Sequence, residues 1–96
     1  MMKVTISEFE YPNVKGYANF GEFYFNAKVF NEKSEFGINE GKVSKLYIFH
    51  EPHKYRFEKE VVSYDRGWII KPEREDIAIY SAYVQILDFL DQLTIS

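Results

Sequence analysis

Apolar and polar residues alternate along residues 3–11, KVTISEFEY: Val4 and Ile6 share one face and Thr5 and Ser7 the other, after which Phe9 and Tyr11 break the phase. A period of two is the mark of a strand, and a phase break inside it predicts a bulge or bend. Pro12-Asn13 is turn chemistry. The run VKGYANFGEFYFNAKVF, residues 14–30, then predicts two strands folding back around Phe20-Gly21-Glu22. In the second of these, Phe23, Phe25, Ala27 and Val29 fall on one face, with Tyr24, Asn26, Lys28 and Phe30 opposite. Both faces of that strand are expected to be at least partly covered.

Residues 31–41, NEKSEFGINEG, form a polar loop in which Gly37 and Gly41 are expected to take positive φ. KVSKLYIFH follows as a strand, with Val43, Lys45, Tyr47 and Phe49 alternating against Ser44, Leu46, Ile48 and His50, and Pro52 ends it. YRFEKEVVSY reads as a further strand: Tyr55, Phe57 and Val61 lie on one side, and Arg56, Glu58, Glu60 and Val62 on a side solvated near its start. YDRGW is the next turn. There Asp65 makes an Asx-type turn, Gly67 takes positive φ and Trp68 packs under a helix. That helix is marked by Ile79, Tyr83, Ile86, Leu90 and Leu93, spaced 4, 3, 4, 3, and widened by Tyr80, Val84 and Leu87. Pro72, Glu73, Glu75 and Asp76 suit its N-terminus, whereas Asp88 and Asp91 oppose the dipole near its end and have no local explanation. So wide an apolar stripe must lie on a sheet. The expected fold is therefore α+β: one domain over residues 1–96, with a single antiparallel sheet of four to six strands within about 3–71. One C-terminal amphipathic helix, about 73–93, packs across it.

Composition agrees with one small, well-filled core. Of 96 residues, 46% are hydrophobic and 19% aromatic, enough to fold without crosslinks, and the absence of cysteine removes disulfide and thiolate chemistry. The N-terminus alternates instead of forming the apolar run of a secretory signal, and no apolar run approaches the roughly 20 residues of a membrane span. A soluble, cytoplasmic protein without a membrane partner is expected. The net charge of −3 argues against binding duplex nucleic acid by bulk electrostatics. Its distribution is uneven: residues 42–74 carry eight Lys/Arg against five acids, while residues 75–96 carry four acids and no base.

The string FNAKVFNEKSEFGINEGKVSKLYI, followed by SYDRGW and a C-terminal amphipathic helix, resembles a family of small uncharacterised proteins of Gram-positive bacteria, their phages and mobile elements. The resemblance runs from about Gly16 to the helix and rests on the segments SEFGI, GKVSKL and YDRGW. It implies a domain of unknown function, and so no activity.

Candidate chemistry is sparse. His50-Glu51-Pro52-His53 has the wrong spacing for a helical zinc site, and Pro52 forbids the helix such a site needs, so a polar turn is expected and no metal or cofactor. No serine sits in a nucleophile elbow, no acid pair stands out and no catalytic constellation is found. Residues 34–45 could form an anion-holding nest, but they lack phosphate-loop spacing. The expected role is a hairpin set up by glycines, with lysines keeping a strand edge soluble. Lys42, Lys45, Tyr47, Arg56, Arg66 and Trp68 make up the candidate binding surface, because Arg, Trp and Tyr are the residues favoured at recognition hot spots. Ile79, Ile86, Phe89 and Leu93 make up the candidate dimer surface, since the helix's apolar arc is wider than one sheet face hides. The expected function is a non-enzymatic binding or interaction module acting as a homodimer, with another protein as a further partner. The alternative is a single-stranded nucleic-acid binder using a basic, aromatic sheet surface flanked by Lys54 and Lys59.

Overall fold

A computed structural model describes residues 3–50 and 60–93. Six strands are laid down in chain order, β1 (Val4–Glu10), β2 (Asn13–Ala18), β3 (Phe23–Val29), β4 (Val43–His50), β5 (Val62–Asp65) and β6 (Trp68–Ile70), and then one helix, α1 (Ile77–Asp91). Each strand pairs antiparallel with the next, so the sheet is a simple meander with β1 and β6 as its edges. The α+β fold expected from the pattern is the fold observed.

Register explains which face is buried. Val14 stands opposite Ala27, Ala27 opposite Leu46, and Leu46 opposite Tyr64; one rung further, Gly16, Phe25, Ile48 and Val62 line up the same way. Cross-strand partners share a face, so these rungs make one apolar surface. Ala82, Tyr83, Ile86, Leu87 and Leu90 of α1 close over it, and Phe25, Leu46, Ile48, Val62, Ile86 and Leu90 are sealed from solvent. Each such side chain contributes about 2 kcal/mol through burial.

Of three register shifts in the sheet among the described residues, the last between Ser63 and Tyr64, two keep the apolar residues in phase. The register of β1 against β2 shifts between Ile6 and Glu8, the bulge implied by the broken alternation, and this returns Phe9 to the row of Val14. A second shift, at Lys28 and Val29, sets Val43 opposite Val29, so Val43 is buried with Leu46 despite their odd spacing. On β5 the expectation fails: Val62 is sealed into the core because it stands opposite Ile48, while Val61 is only partly covered. The expected first half of that strand, with Tyr55, Arg56, Phe57 and Glu58, lies outside the described residues, as do Glu51, Pro52 and His53.

The glycines of the loop before β4 do different work from that expected. Gly37 and Gly41 have φ of −78° and −99°, and the left-handed positions are Asn39 and Glu40. A Cβ on Gly37 would lie 2.1 Å from the Gly41 carbonyl oxygen, and one on Gly41 would lie 2.8 Å from Asp91 Oδ1. Close approach selects glycine at both places. Likewise the left-handed residue in the β5–β6 turn is Arg66, and Gly67 is not among the positive-φ residues.

The helix begins four residues later than about 73. Asp76 is its N-cap, accepting a hydrogen bond from Ile79 N at 3.3 Å, and the turn before it closes through Asp76 N donating to Glu73 O. Glu73 and Glu75 therefore precede the first turn. Asp91, puzzling in sequence, receives the Lys42 backbone N–H at 3.1 Å, while Lys42 Nζ donates to the Leu93 carbonyl. Lys42 thus satisfies an orphan carbonyl past the helix end and brings a positive charge to its negative pole.

Gly16 supplies a stability test. A Cβ there would meet Thr5 O at 2.1 Å and Phe25 Cζ at 2.7 Å, whereas a Cβ on Gly67 meets nothing within 4 Å. Gly16→Ala is expected to lower unfolding free energy by about 3 kcal/mol, the upper end of overpacking costs. Gly67→Ala should stay within about 0.5 kcal/mol of the parent. Urea denaturation of both variants measures the contrast.

Candidate functional site

With α1 on one side, the residues that alternate with the core form the opposite, open face of the sheet. Its first rung is Thr5, Tyr17, Tyr24 and Phe49; the second is Glu8, Lys15, Asn26, Tyr47 and Ser63; the third is Glu10, Asn13, Lys28, Lys45 and Asp65. The pleat dictates this, since every second side chain of each strand points away from the helix. A groove of about 820 Å³ is bordered by Tyr24, Tyr47, Phe49, Asn26 and Glu60. A second of about 740 Å³ continues it past Glu10, Asn13 and Lys45, and both are bordered by Glu8, Lys15, Asn26 and Tyr47.

The electrostatics of this trough are mixed. Lys15 Nζ lies 3.7 Å from Glu8 Oε2, both well exposed, an arrangement that contributes little in water. Lys45 Nζ sits 4.8 Å from the centroid of the Tyr47 ring, a cation–π geometry. Desolvation holds the Tyr47 phenol above its ordinary pKa of 10.0, helped by the negative charges of Asp65 and Glu60. Tyr17 and Tyr24 have ring centroids 6.3 Å apart. Among the described residues the face sets Glu8, Glu10, Glu60 and Asp65 against Lys15, Lys28 and Lys45, so it is not basic.

Only part of the predicted binding surface comes together. Lys45 and Tyr47 share the open face. Lys42 is spent on the end of α1, as described above. Arg66 occupies the β5–β6 turn with its guanidinium 5.3 Å from the Phe36 ring centroid. Trp68 lies on the helix side, edge-on to Tyr64 at 4.9 Å and Tyr83 at 5.6 Å, the packing expected for it. Arg56, Lys54 and Lys59 lie outside the described residues. β4 is an interior strand, so Lys42 and Lys45 protect no sheet edge. Asn26, Lys15 and Glu8 line the trough but were not singled out in sequence. Their only signal was alternation with apolar neighbours.

The predicted dimer surface is likewise divided. Ile86 is fully buried and belongs to the core, and Ile79, Phe89 and Leu93 pack partly buried against it. The sheet is wide enough to absorb most of the helix's apolar arc. What remains outside is Ile77 and Val84.

His50 is the last residue of β4, as the alternation of KVSKLYIFH expects, and the rest of the expected polar turn, Glu51-Pro52-His53, lies outside the described residues. The His50 ring stacks on Phe23 at 4.5 Å, and its Nε2 lies 3.2 Å from Glu22 Oε2. Its partner Phe23 faces the helix, so the imidazole does not belong to the trough. Among the described residues no group of three His, Asp or Glu side chains is placed to hold a metal ion, and no helix is long and apolar enough to cross a membrane.

The fold and the trough define a small α+β domain with one covered and one open sheet face. The family model described as Domain of unknown function (DUF7678) matches residues 13–91, and the chain belongs to that family. No curated protein matches the chain, and no solved structure does.

Tyr83, which joins the helix to Trp68, gives a pH test. Burial pushes its phenol up to about 12, with smaller contributions from Tyr80, Asp91 and Tyr64. Below pH 10 both folded and unfolded chains keep the proton. Above it the unfolded chain loses its proton first, so this stabilisation disappears between pH 10 and about 12. Two units correspond to about 2–3 kcal/mol. In Tyr83→Phe the alkaline loss of stability should be shallower by about 2 kcal/mol between pH 9 and pH 11.5, the part of that range already lost before the folded phenol titrates, read from urea midpoints at the two pH values.

Proposed function

We propose that this protein is a non-enzymatic interaction module that works as a homodimer and receives a protein partner on its open sheet face. The observation that carries the reading is the trough itself: partly buried Tyr24, Tyr47 and Phe49 on adjacent strands, with Asn26 between them and charges of both signs around them. Tyrosine offers a large rigid contact area with a polar tip, and mixed polar rims around aromatic centres are the anatomy of protein interfaces. The groups in the trough are phenols, amides, ammonium groups and carboxylates, a set suited to holding a partner. The one imidazole among the described residues faces the other way.

A second reading has its own support. The rung of Tyr17, Tyr24 and Phe49 has the form of a stacking platform, and stacked bases contribute about 1–3 kcal/mol each on such surfaces. The balance of charge opposes it, because four carboxylates share the face with three ammonium groups. A protein partner is therefore the favoured ligand.

Parent protein and the Tyr24→Ala/Tyr47→Ala variant, both checked for native circular dichroism, are to be used as bait in nuclease-treated and untreated cell extract. A specific protein held by the parent in both extracts, and at least tenfold more weakly by the variant once purified, is the expected outcome. Equal retention by parent and variant would remove the trough from the reading. For the second reading, oligothymidylate should bind with log affinity falling linearly in log salt. No binding at 20 mM salt would end it.

A further inference from the structure

We propose that two copies of the chain pack about a two-fold axis through the β6 edge and the adjoining flank of α1. The inference rests on the homodimer reading above and adds the surface that makes the dimer. An open sheet has two edges, and unpaired edges invite association unless they are blunted. β1 is blunted by its bulge and by exposed Glu8 and Glu10. β6 consists of Trp68, Ile69 and Ile70, all exposed, with no charge among them, and Ile69 is 65% exposed.

This edge does not stand alone. Trp68, at the start of β6, borders one cavity of about 530 Å³ with Tyr80, Tyr83, Val84 and Leu87 of α1, so this edge residue and the helix flank share a surface, with Ile69 and Ile70 following it along the strand. Ile77 lies two turns before Val84 on the same stripe and is 79% exposed. Two large apolar side chains left open on one stripe, Ile77 and Val84, on a helix whose remaining large apolar residues are at least partly covered, mark a contact site.

Charge identifies the occupant. The same cavity is bordered by Lys71 and Arg74 and by Asp88 and Asp91, bases and acids together. A two-fold contact requires a self-complementary patch, and one carrying both signs around an apolar centre meets that requirement when a second copy is inverted against it. A head-to-tail arrangement, β6 on the β1 edge of the next copy, would propagate without closing. The bulge and carboxylates of β1 stand against it.

The test is light scattering on the full chain from 1 to 200 μM. The parent should have twice the 11.5 kDa chain mass. Ile69→Glu and Ile77→Glu should each be folded monomers at concentrations where the parent is dimeric, their dissociation constants raised at least a hundredfold. Phe20→Glu, an equally drastic change at an 87% exposed hairpin tip, should remain dimeric. Should Ile69→Glu disturb β6, Ile77→Glu decides alone, because that side chain lies outside the core. A dimeric parent whose Ile69→Glu and Ile77→Glu variants also dimerise overturns the assigned surface while leaving the homodimer reading standing. A monomeric parent overturns both.

Discussion

Everything in this domain depends on one register. The rungs Val14–Ala27–Leu46–Tyr64 and Gly16–Phe25–Ile48–Val62 must stay on the same face, because among the described residues one 15-residue helix, with Ile38 of the loop before β4, supplies the cover. Slipping any strand by one residue would send its apolar set to the open side. The two bulges are how the chain holds this phase across strands whose spacing would otherwise drift. Gly16 belongs to the same constraint, since the Phe25 ring lies where its side chain would be.

The helix is fixed at both ends by different means. Asp76 caps its start, and at its far end Lys42 and Asp91 tie it to the loop entering β4. Gly41 is small because Asp91 passes beside it, and Gly37 is small because Gly41 does. The segment SEFGINEGK is thus a joint between sheet and helix, and Tyr64 reinforces it by donating its hydroxyl proton to the Phe36 carbonyl at 2.8 Å. Its serines and lysines looked like recognition chemistry, but Lys42 serves the joint. That moves the functional reading onto the open sheet face and the β6 side.

These two surfaces differ in kind. The open face is polar, aromatic and charged in both senses, as suits a partner that comes and goes. The β6 flank is apolar with charges only at its rim, closer to the composition of a permanent contact. The trough and the α1 flank lie on opposite sides of the sheet, with Trp68 on the helix side opposite Tyr64 and Ile70 opposite Ser63 at the border of the open face.

Sequence by itself determined most of the elements and most of their faces, though not β6, where Trp68–Ile70 follows the turn as a three-residue strand. Alternation in FYFNAKV put Phe23, Phe25, Ala27 and Val29 together, the phase broken by Phe9 and Tyr11 announced a bulge, and the 4, 3, 4, 3 spacing after Asp76 announced the helix. These are local consequences of the strand and helix periods, which a side chain obeys whatever lies opposite. Tertiary structure alone decided what needed knowledge of the neighbour. It buried Val62 by setting it against Ile48, withdrew Ile86 from any interface, gave Asp91 a partner 49 positions away and separated Lys42 from Lys45. It also assembled the trough, because Glu8, Lys15, Asn26 and Tyr47 lie on four strands and meet only through cross-strand register. A period says which way a residue points along its own strand, and only pairing says what it then touches.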